Sequence, residues 1–589
     1  MKELMLGNAA LARGAYDAGC RVVSSYPGTP STEITQFCAK HEGFYAEWAA
    51  NEKVALEVAI GTAVGGKRAL CCMKHVGLNV AADPLFTSAY TGVNAGLVIV
   101  VADDPGMHSS QNEQDSRYYA RSAHVPMLEP ADSQEAYHFI RMAFELSETY
   151  DTPVLVRMVT RIAHGAGLVE TDPEAAGPVA PVTRPYAKDI AKYVMMPGPA
   201  RARHVVVEAR MKKMAADALP LHRCVAISGE AQTDCNPAQK YPLGIVAAGT
   251  AYQYVREAVR QQNATMPVAI LKPGLVHPLP LAAIADFAKT VDRLVVVEEL
   301  EPFMEEQLKQ NGIACEGKSL FSLQGELSTG VVAQTLYALP AAPVSVQEVP
   351  ARPPVLCAGC PHRAAYSVVK KMGLTVTGDI GCYTLGATPP LLAIDTCVCM
   401  GASISMAHGM GLAHPENAEK IIGVIGDSTF FHSGMTGLAS AVYNNSRLTL
   451  LVLDNRTTGM TGHQGHPGTG QRLCGQPGQA IAIAPVCRAL GAQLVIEVDP
   501  LDLTAFETAM KQATAFEGVS VVVAQSPCVL LTKEHPKPLN INDNCRACGI
   551  CLKLGCPAIS KGTGHMQLDA TLCNGCTACR QVCRFDAID

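Results

Sequence analysis

Few side chains of this sequence are charged or aromatic. Charged residues make up 17% of the 589 residues and aromatic residues 5%, with Trp48 as the single tryptophan. The formal net charge of −6 provides no basic surface, which argues against a nucleic-acid-binding protein. Hydrophobic residues reach 48%, enough for several large cores and for wide subunit interfaces.

Long apolar segments are also missing, and we do not expect the N-terminal stretch to act as a signal peptide. The longest apolar runs, such as GLVIVVA at 96–102, are far too short to span a bilayer and are typical of buried parallel strands. The N-terminal stretch MKELMLGNAALARGAYDAGC carries acidic and polar residues within its apolar part, unlike a signal peptide. We therefore expect a cytoplasmic protein with neither a membrane nor a nucleic acid as its partner.

Cysteine, in contrast, is abundant. The chain has 23 cysteines, and eight of them fall between Cys545 and Cys583. Disulfides are rare in a reducing cytosol, so we expect these thiols to be metal ligands, reactive groups or small buried residues. The concentration near the end of the chain favours metal ligation for that part.

Most of the chain alternates short apolar runs with helical segments, the pattern of doubly wound parallel α/β sheets. Its length favours three or four domains. Strands are predicted in segments such as KRALCCMK, GLVIVVADDPG, KIIGVIGDS and LTLLVLDN. The predicted division is an α/β domain at 1–185, a connector at 186–240, α/β domains at 241–340 and 356–535, a proline-rich linker at 339–355, and a cysteine-rich tail at 540–589.

The tail contains two cysteine runs with nearly the spacing of a bacterial ferredoxin. In such runs three thiolates hold one cubane, and the fourth ligand comes from the other run. Two 4Fe–4S clusters are therefore predicted, one on Cys545, Cys548, Cys551 and Cys583, the other on Cys573, Cys576, Cys579 and Cys556. The alternatives are a pair of zinc ribbons and cysteines that bind no metal.

Two features depart from the ferredoxin pattern. Four residues, LKLG, separate Cys551 from Cys556 where bacterial ferredoxins have three, and Arg584 stands where a proline is usual. We expect the longer loop to alter the geometry around one cluster or to loosen its binding. The preceding HPKPLN stretch predicts a linker, so the tail is expected to be a separable module.

Two predicted strand ends in the 356–535 segment carry the oxygen ligands that Mg²⁺ prefers. One strand ends in Gly426-Asp427, and a later one ends in Asp454-Asn455. Small residues there let the backbone approach a phosphate, and the following helix attracts anions. The pattern resembles the diphosphate motif of thiamine-dependent enzymes, with Ser428 where glycine is commoner. Asp454 is interpreted as a turn residue, and the predicted cofactor-binding residues are Gly426, Asp427, Ser428, Asn455 and Thr457, the last through its carbonyl.

Thiamine catalysis also needs a carboxylate that hydrogen-bonds the aminopyrimidine ring, usually from a different α/β domain. The segment EWAANEKVALEVAIGTAVGGKRA offers Glu47, Glu52 and Glu57. Glu52 opens the more apolar stretch and is therefore the preferred candidate. Three solvated helix charges are the alternative.

Six segments together resemble the large (alpha) subunit of the indolepyruvate ferredoxin oxidoreductases, within the thiamine-dependent 2-oxoacid:ferredoxin oxidoreductase family. They are SYPGTPSTE (25–33), NEKVALEVAIG (51–61), CAGCPHR (357–363), GDIGCYTLG (378–386), GDSTFFHSG (426–434) and DNRTTGMTGHQ (454–464). The resemblance covers essentially the whole chain. It implies a pyrimidine-binding domain at 1–185, a transketolase C-terminal-like domain at 241–340, a diphosphate- and Mg²⁺-binding domain at 356–535 and a ferredoxin-like domain at 540–589.

The resemblance also implies an activity and its partners. An arylpyruvate such as indolepyruvate loses CO₂ on thiamine diphosphate, two electrons leave singly through iron–sulfur clusters to an external ferredoxin, and the acyl group passes to coenzyme A. Glu52 falls where the family has its pyrimidine-contacting glutamate. Thr29 falls where the pyruvate enzyme has a substrate-contacting threonine, although an ordinary turn residue is the alternative. A smaller beta subunit completes the enzyme, as an assembly of two alpha and two beta chains.

A third 4Fe–4S cluster is left open. The pyruvate enzyme of the family holds one near its thiamine with a CxxC pair and two later cysteines. The cysteines in similar places here are Cys357, Cys360, Cys382 and Cys528. Against this cluster, the PHR sequence at 361–363 differs from the pyruvate enzyme, and the indolepyruvate branch is credited with two clusters. Buried structural thiols are the alternative.

Three other functions fit parts of the same pattern. The first is the same chemistry on another 2-oxo acid, because the sequence does not fix the size of the substrate pocket. The second is a plain thiamine decarboxylase that releases an aldehyde, against which the ferredoxin-like tail argues. The third is a non-catalytic electron-transfer subunit, which would make the Asp427, Asn455 and Glu52 features coincidental.

Overall fold

The computed structural model describes residues 2–171, 180–217, 222–262, 267–338, 353–532 and 534–589. The chain forms two compact units, Met1–Gln347 and Glu348–Asp589. Most of the linker predicted at 339–355 lies outside the described residues. Within those residues, no helix has both the length and the apolar character that a membrane crossing requires.

The first unit is built from strands and the helices that connect them. Its described strands are β1 (Lys2–Leu6), β2 (Val22–Ser25), β3 (Tyr45–Trp48), β4 (Ala69–Lys74), β5 (Leu97–Asp103), β6 (Met127–Leu128), β7 (Val154–Val159), β8 (Ala166–Glu170), β9 (Arg223–Ser228), β10 (Ala231–Asp234), β11 (Tyr241–Ala247), β12 (Val268–Lys272), β13 (Leu275–His277) and β14 (Val291–Val297). Its described helices are α1 (Gly7–Asp17), α2 (Thr32–Cys38), α3 (Glu52–Val64), α4 (His75–Val80), α5 (Ala82–Thr91), α6 (Arg117–Ala123), α7 (Ser133–Tyr150), α8 (Thr160–His164), α9 (Ile190–Tyr193), α10 (Pro197–Asp217), α11 (Gly249–Gln261), α12 (Leu281–Lys289), α13 (Phe303–Gln310) and α14 (Thr329–Tyr337).

The larger sheet of this unit has the order β13–β6–β7–β5–β4–β2–β3 and is parallel except at its edge strand β13. Strands β4, β5 and β7 are buried along their whole length, as their continuous apolar sequences predict. Leu11 and Phe144 of α1 and α7 pack in the core on one face, and Leu56 and Leu85 of α3 and α5 pack on the other. The predicted doubly wound α/β fold is confirmed.

The second sheet of this unit has the order β10–β9–β12–β11–β14, with β9 antiparallel to both of its neighbours. Strands β9 and β10 come from the segment predicted as a connector at 186–240, so this sheet begins before residue 241. Cys224 of β9 and Cys235 form a disulfide, which corrects the expectation that the cysteines stay reduced. The hairpin of β9 and β10 brings the two thiols together, and their sequence spacing alone gave no sign of it.

Buried ion pairs link the seven-stranded and the five-stranded sheet of the first unit. Arg117 of α6 lies 2.6 Å from Asp115 and 2.6 Å from Glu298, the residue that follows β14, and all three side chains are nearly inaccessible. Losing one member of such a pair leaves an uncompensated buried charge, so this network fixes how the sheets pack.

The neighbouring Glu299 gives a testable pH dependence of stability. Burial raises the pKa of this carboxyl from 4.5 to about 7, although the Leu327 N–H donates to it at 3.2 Å. A folded-state pKa above the unfolded value contributes stability that is present below pH 4.5 and is lost as the pH rises through 7. We therefore expect Glu299→Gln to raise the free energy of unfolding at pH 8 by up to about 3 kcal/mol, with little change at pH 4.5.

Chemical denaturation across that pH range measures the effect. The matched control is Glu257→Gln, which changes an exposed glutamate of α11 and should leave the pH profile unchanged. A Glu299→Gln protein with the wild-type pH profile would show that this carboxyl does not couple to folding.

The second unit contains one six-stranded sheet and the cysteine-rich tail. Its described strands are β15 (Thr375–Gly378), β16 (Thr396–Cys397), β17 (Ile421–Gly426), β18 (Leu448–Asp454), β19 (Leu494–Val498), β20 (Val519–Gln525), β21 (Ile559–Lys561) and β22 (Met566–Leu568). Its described helices are α15 (Pro361–Lys371), α16 (Ala402–Ala413), α17 (Asp427–Thr429), α18 (Met435–Tyr443), α19 (Ile483–Ala489), α20 (Leu503–Ala515) and α21 (Ala578–Val582). The sheet is parallel throughout, in the order β16–β15–β17–β18–β20–β19.

The tail packs into the core of this unit. Leu554 and Ile559 of the tail lie in the same hydrophobic cluster as Ala364 of α15 and Phe506 of α20. The side chain of Gln581 also donates to the Leu501 carbonyl at 2.7 Å. The expectation that the tail is a separable module is therefore wrong, because its removal would expose the apolar surface that it shares with the sheet domain.

Candidate active site

The strand order of the second unit creates a crevice where the predicted diphosphate residues lie. The chain adds β16 on one side of β15 and then β17 on the other side, so the direction in which strands are added reverses between β15 and β17. Parallel sheets bind ligands at the carboxyl ends of the strands next to such a reversal. Gly426 ends β17 there, and a Cβ at this glycine would come within 2.5 Å of the Tyr383 ring. Asp427 follows directly and is only 3% exposed.

Asp427 is held by polar contacts that sequence reasoning only partly anticipated. Its carboxylate lies 3.1 Å from Nε2 of His466 and accepts a hydrogen bond of 2.9 Å from the Ser428 N–H. Burial opposes the charged form, but the His466 contact keeps the pKa of Asp427 below its ordinary value. His466 was not singled out from the sequence, and its one signal was its place in the glycine-rich loop that follows β18.

The neighbouring strand end brings Asn455 and Thr457 to the same edge. Asn455 is 8% exposed, lies 3.4 Å from His362 through its amide nitrogen, and accepts a hydrogen bond from the Thr457 N–H at 3.2 Å. The buried Thr457 hydroxyl finds no hydrogen-bond partner among the described residues. An orphaned hydroxyl beside a buried carboxylate and a buried amide fits a site for a metal ion and a phosphate.

Two further contacts tie the strand ends to each other. The Thr458 hydroxyl donates to the Ser428 hydroxyl at 2.9 Å, which links the segments that follow β17 and β18. Asp454 is 4% exposed and accepts a hydrogen bond from the Arg456 N–H at 3.2 Å, as a turn residue does. Burial, and then the charge of Asp427, raises the pKa of Asp454 to about 6.

In the first unit, burial distinguishes Glu52 from the other two candidate glutamates. Glu52 begins α3 and is 5% exposed, whereas Glu57 is exposed and ion-paired with Lys53. Glu47 of β3 is half-buried and accepts hydrogen bonds from the hydroxyl groups of Ser24 and Tyr45. Of the three, only Glu52 combines burial with a position at the carboxyl end of the sheet.

Glycine at position 77 makes room for the Glu52 carboxylate. A Cβ on Gly77 would lie 2.6 Å from Cγ and 2.7 Å from Oε1 of Glu52, so a larger residue at this position would displace the Glu52 side chain. Thr29 lies half-buried in the turn that follows β2, at the same edge of the sheet. The chain adds β3 on one side of β2 and then β4 on the other side, so the direction of strand addition reverses there too. Thr29 and Glu52 therefore both lie where parallel sheets bind ligands.

The eight tail cysteines form two groups, each around its own cavity. One cavity is lined by Cys545, Cys548, Cys551 and Cys583. The other is lined by Cys556, Cys573, Cys576 and Cys579. These groups coincide with the two ligand sets predicted from the spacing.

The separation of the side chains bears on the choice between clusters and zinc. Each thiolate of a cubane binds a different iron, so its sulfur ligands stand farther apart than the ligands of one ion. In the described part of the chain, no three histidine, cysteine or acidic side chains are close enough to hold a single metal ion. The choice of two cubanes over two zinc ions stays a prediction from the spacing of the cysteines.

Four further cysteines come together beside the Asn455 segment. Burial raises the pKa of Cys360 to about 12, and the nearby Cys357 and Cys528 thiols contribute to that rise. Cys382 lies close to the same two thiols. The Cys528 N–H donates to the Asn455 carbonyl at 2.9 Å, which places this group next to the predicted diphosphate residues.

Two family models match the chain. The model described as "Pyruvate flavodoxin/ferredoxin oxidoreductase, thiamine diP-bdg" matches residues 13–222, which include Thr29 and Glu52. The model described as "Thiamine pyrophosphate enzyme, C-terminal TPP binding domain" matches residues 379–524, which include Asp427 and Asn455.

Curated relatives match over nearly their full length. The indolepyruvate oxidoreductase subunit IorA of Archaeoglobus fulgidus is 38% identical over 100% of this chain and 97% of its own. The proteins of the same name from Methanothermobacter thermautotrophicus and Thermococcus kodakarensis are 39% and 40% identical with the same coverage.

Proposed function

Because the chain belongs to the family of indolepyruvate oxidoreductase IorA subunits, we propose that it is the thiamine-binding subunit of an enzyme that oxidatively decarboxylates arylpyruvates such as indolepyruvate. The observation that carries this proposal is the pairing, in one compact unit, of the buried Asp427 and Asn455 strand ends with two cysteine-lined cavities. The reaction consumes a 2-oxo acid, coenzyme A and two oxidised ferredoxins. It yields an acyl-coenzyme A, CO₂, one proton and two reduced ferredoxins.

The second unit would bind the diphosphate and its metal ion. Asp427 and the Asn455 side chain would each give an oxygen ligand to Mg²⁺, and the Thr457 carbonyl would give a third. The backbone at Gly426 and Ser428 would approach the diphosphate, beside the unpartnered Thr457 hydroxyl. Bound thiamine diphosphate supplies the carbon nucleophile and the electron sink for decarboxylation.

The first unit supplies the proton-transfer group. Glu52 would hold a proton between its carboxyl group and the aminopyrimidine ring, and its burial shields that hydrogen bond from water. Thr29 would donate a hydrogen bond to the substrate from the turn after β2.

Electrons would leave through the two tail clusters to an external ferredoxin. A smaller beta subunit, coenzyme A and the 2-oxo acid complete the proposed system, with two alpha and two beta chains in the assembly. We keep a cytoplasmic location as part of the proposal, since ferredoxin and coenzyme A are used there.

The tail cysteines give the prediction that tests the electron exit. We expect Cys548→Ala to lower iron content by about four atoms per chain and ferredoxin reduction by about tenfold or more, because one cluster loses a ligand. Thiamine content should stay at the wild-type level. Iron, sulfide and thiamine analysis with a ferredoxin-reduction assay measures all three.

The control for this variant is Cys315→Ser, which changes a thiol of the first unit outside the proposed ligand sets. It should retain iron and ferredoxin reduction. Unchanged ferredoxin reduction in Cys548→Ala, despite lost iron, would show that electrons do not leave through this tail.

The group of Cys357, Cys360, Cys382 and Cys528 keeps a third cluster open as part of the proposal. Its place beside the Asn455 segment supports a cluster that accepts electrons close to the thiamine. Iron analysis of anaerobically prepared full chain separates the alternatives, because three clusters give about twelve irons per chain and two give about eight. If these four cysteines are structural thiols, Cys382→Ser should hold as much iron per chain as the wild type.

Substrate class and catalysis itself have separate tests. Initial rates with indolepyruvate, phenylpyruvate, pyruvate and branched 2-oxo acids separate the arylpyruvate assignment from another 2-oxo acid. Thiamine diphosphate absent from purified protein would instead favour a non-catalytic electron-transfer subunit. Aldehyde release without ferredoxin reduction would favour a plain decarboxylase.

A further inference from the structure

Arg363 is a buried cation placed between two groups of cysteines. It lies in the first turn of α15, three residues after Cys360, and is 5% exposed. Together with Cys360, it lines the cavity that is surrounded by Cys556, Cys573, Cys576 and Cys579. A buried guanidinium is costly unless its donors are satisfied, so its partners show what it is held to.

The donors of Arg363 reach two separate loops. On one side its Nε donates to the Cys357 carbonyl at 2.9 Å, and an Nη donates to the Leu356 carbonyl. On the other side the second Nη donates to the carbonyls of Leu554 and Gly555, the two residues before Cys556. One side chain therefore ties the CAGC loop to the loop that carries a cluster ligand.

The lengthened LKLG loop is shaped around this contact. Gly555 has a φ of +67°, and a Cβ there would come within 2.7 Å of Pro390 and 3.0 Å of the Arg363 guanidinium. The loop, which is one residue longer than in the ferredoxin pattern, thus ends in a glycine. Its backbone lies in the left-handed region, which glycine adopts without strain. A second link joins the same two regions, since the Asn574 amide donates to the Ala358 carbonyl at 3.0 Å.

We propose that Arg363 is a positioning residue for the 4Fe–4S cluster held by Cys556, Cys573, Cys576 and Cys579. It fixes the Cys556 loop and places a positive charge beside that cluster. A buried cation stabilises the more negative, reduced cluster, so it raises the reduction potential of that cluster and favours its reduction. This inference rests on the proposed function only in requiring that the tail hold clusters.

The test uses the full chain, produced anaerobically with its partner subunit, in three variants. Arg363→Gln removes the charge, and Arg363→Lys keeps the charge but loses the multiple carbonyl contacts. Arg580→Gln is the matched control, because it removes an exposed arginine next to Cys579 where solvent screens the charge. Redox titration followed by electron paramagnetic resonance, iron content and thiamine content are measured for each.

We expect Arg363→Gln to lower the midpoint potential of one cluster, with a roughly tenfold smaller equilibrium constant for its one-electron reduction (about 59 mV). Arg363→Lys should keep that potential closer to wild type but lose iron from one cluster faster. Arg580→Gln should change neither. If Arg363→Gln does not hold the cluster at all, the lysine variant still tests the role through selective loss of about four irons with full thiamine content.

Wild-type potentials and iron retention in both Arg363 variants would overturn the proposal. Loss of thiamine together with all iron in both variants would also overturn it, because that result indicates a general structural role. A wild-type protein that holds two clusters but no thiamine would contradict the proposed function and leave this test intact.

Discussion

Replacing Asp427 with alanine is expected to leave the chain folded but without bound thiamine diphosphate and without activity. Asp427 would contribute a direct oxygen ligand to Mg²⁺, and loss of even an outer contact to a metal costs about 10–100-fold in affinity. Removing its charge also relieves the repulsion with Asp454, so the empty chain should keep its fold. Asn455→Ala should have the same effect through the second strand end.

Thiamine content at matched Mg²⁺, with circular dichroism as a check of folding, measures this prediction. The matched control is Asp499→Ala, which removes an exposed aspartate directly after β19 in the same sheet. It should keep full cofactor content. Wild-type thiamine occupancy in the Asp427 or Asn455 variant would show that the assignment of the metal site is wrong.

Glu52→Gln is expected to retain the cofactor but to lose about 10²–10⁴-fold in turnover. The amide keeps the shape that fits against Gly77, but it cannot exchange a proton with the aminopyrimidine ring. Single-turnover decarboxylation and thiamine content separate loss of chemistry from loss of binding.

Glu57→Gln is the matched control, since it changes an exposed glutamate of the same helix. Its turnover should equal that of the wild type. Near-wild-type turnover in Glu52→Gln would exclude Glu52 as the proton-transfer group and would direct attention to Glu47.

The strands of both large sheets were predictable because their sequences leave little choice. LVIVVAD in β5 and LTLLVLD in β18 are short, nearly continuous apolar runs rich in β-branched residues, which are typical of strands buried on both faces. The positions of Asp427 and Asn455 follow from the same logic, because polar residues directly after buried parallel strands must meet at one edge of the sheet.

Tertiary contacts account for what the sequence did not predict. The apolar stretch that Glu52 opens already favoured this residue over Glu47 and Glu57, but the space at Gly77 that admits its side chain comes from a different helix. The His466 contact with Asp427 joins a loop to a strand end far apart in sequence. Such pairings carry no local periodicity, so no pattern of residue types could reveal them.

The tail shows the same limit at the level of domains. Its cysteine spacing predicted the two groups of four, because cubane ligation imposes that order on a short chain. The HPKPLN stretch predicted a boundary, yet Leu554 and Ile559 pack in the core of the sheet domain. Proline and polar residues mark where regular structure ends, but they do not report what packs across that point.

Ferredoxin reduction by the anaerobically purified complex, supplied with indolepyruvate and coenzyme A, tests the central claim most directly. We expect reduced ferredoxin to form only when both substrates are present, with one acyl-coenzyme A produced for every two ferredoxins reduced. A complex that holds thiamine diphosphate and iron–sulfur clusters, yet reduces no ferredoxin with any 2-oxo acid, would contradict the account.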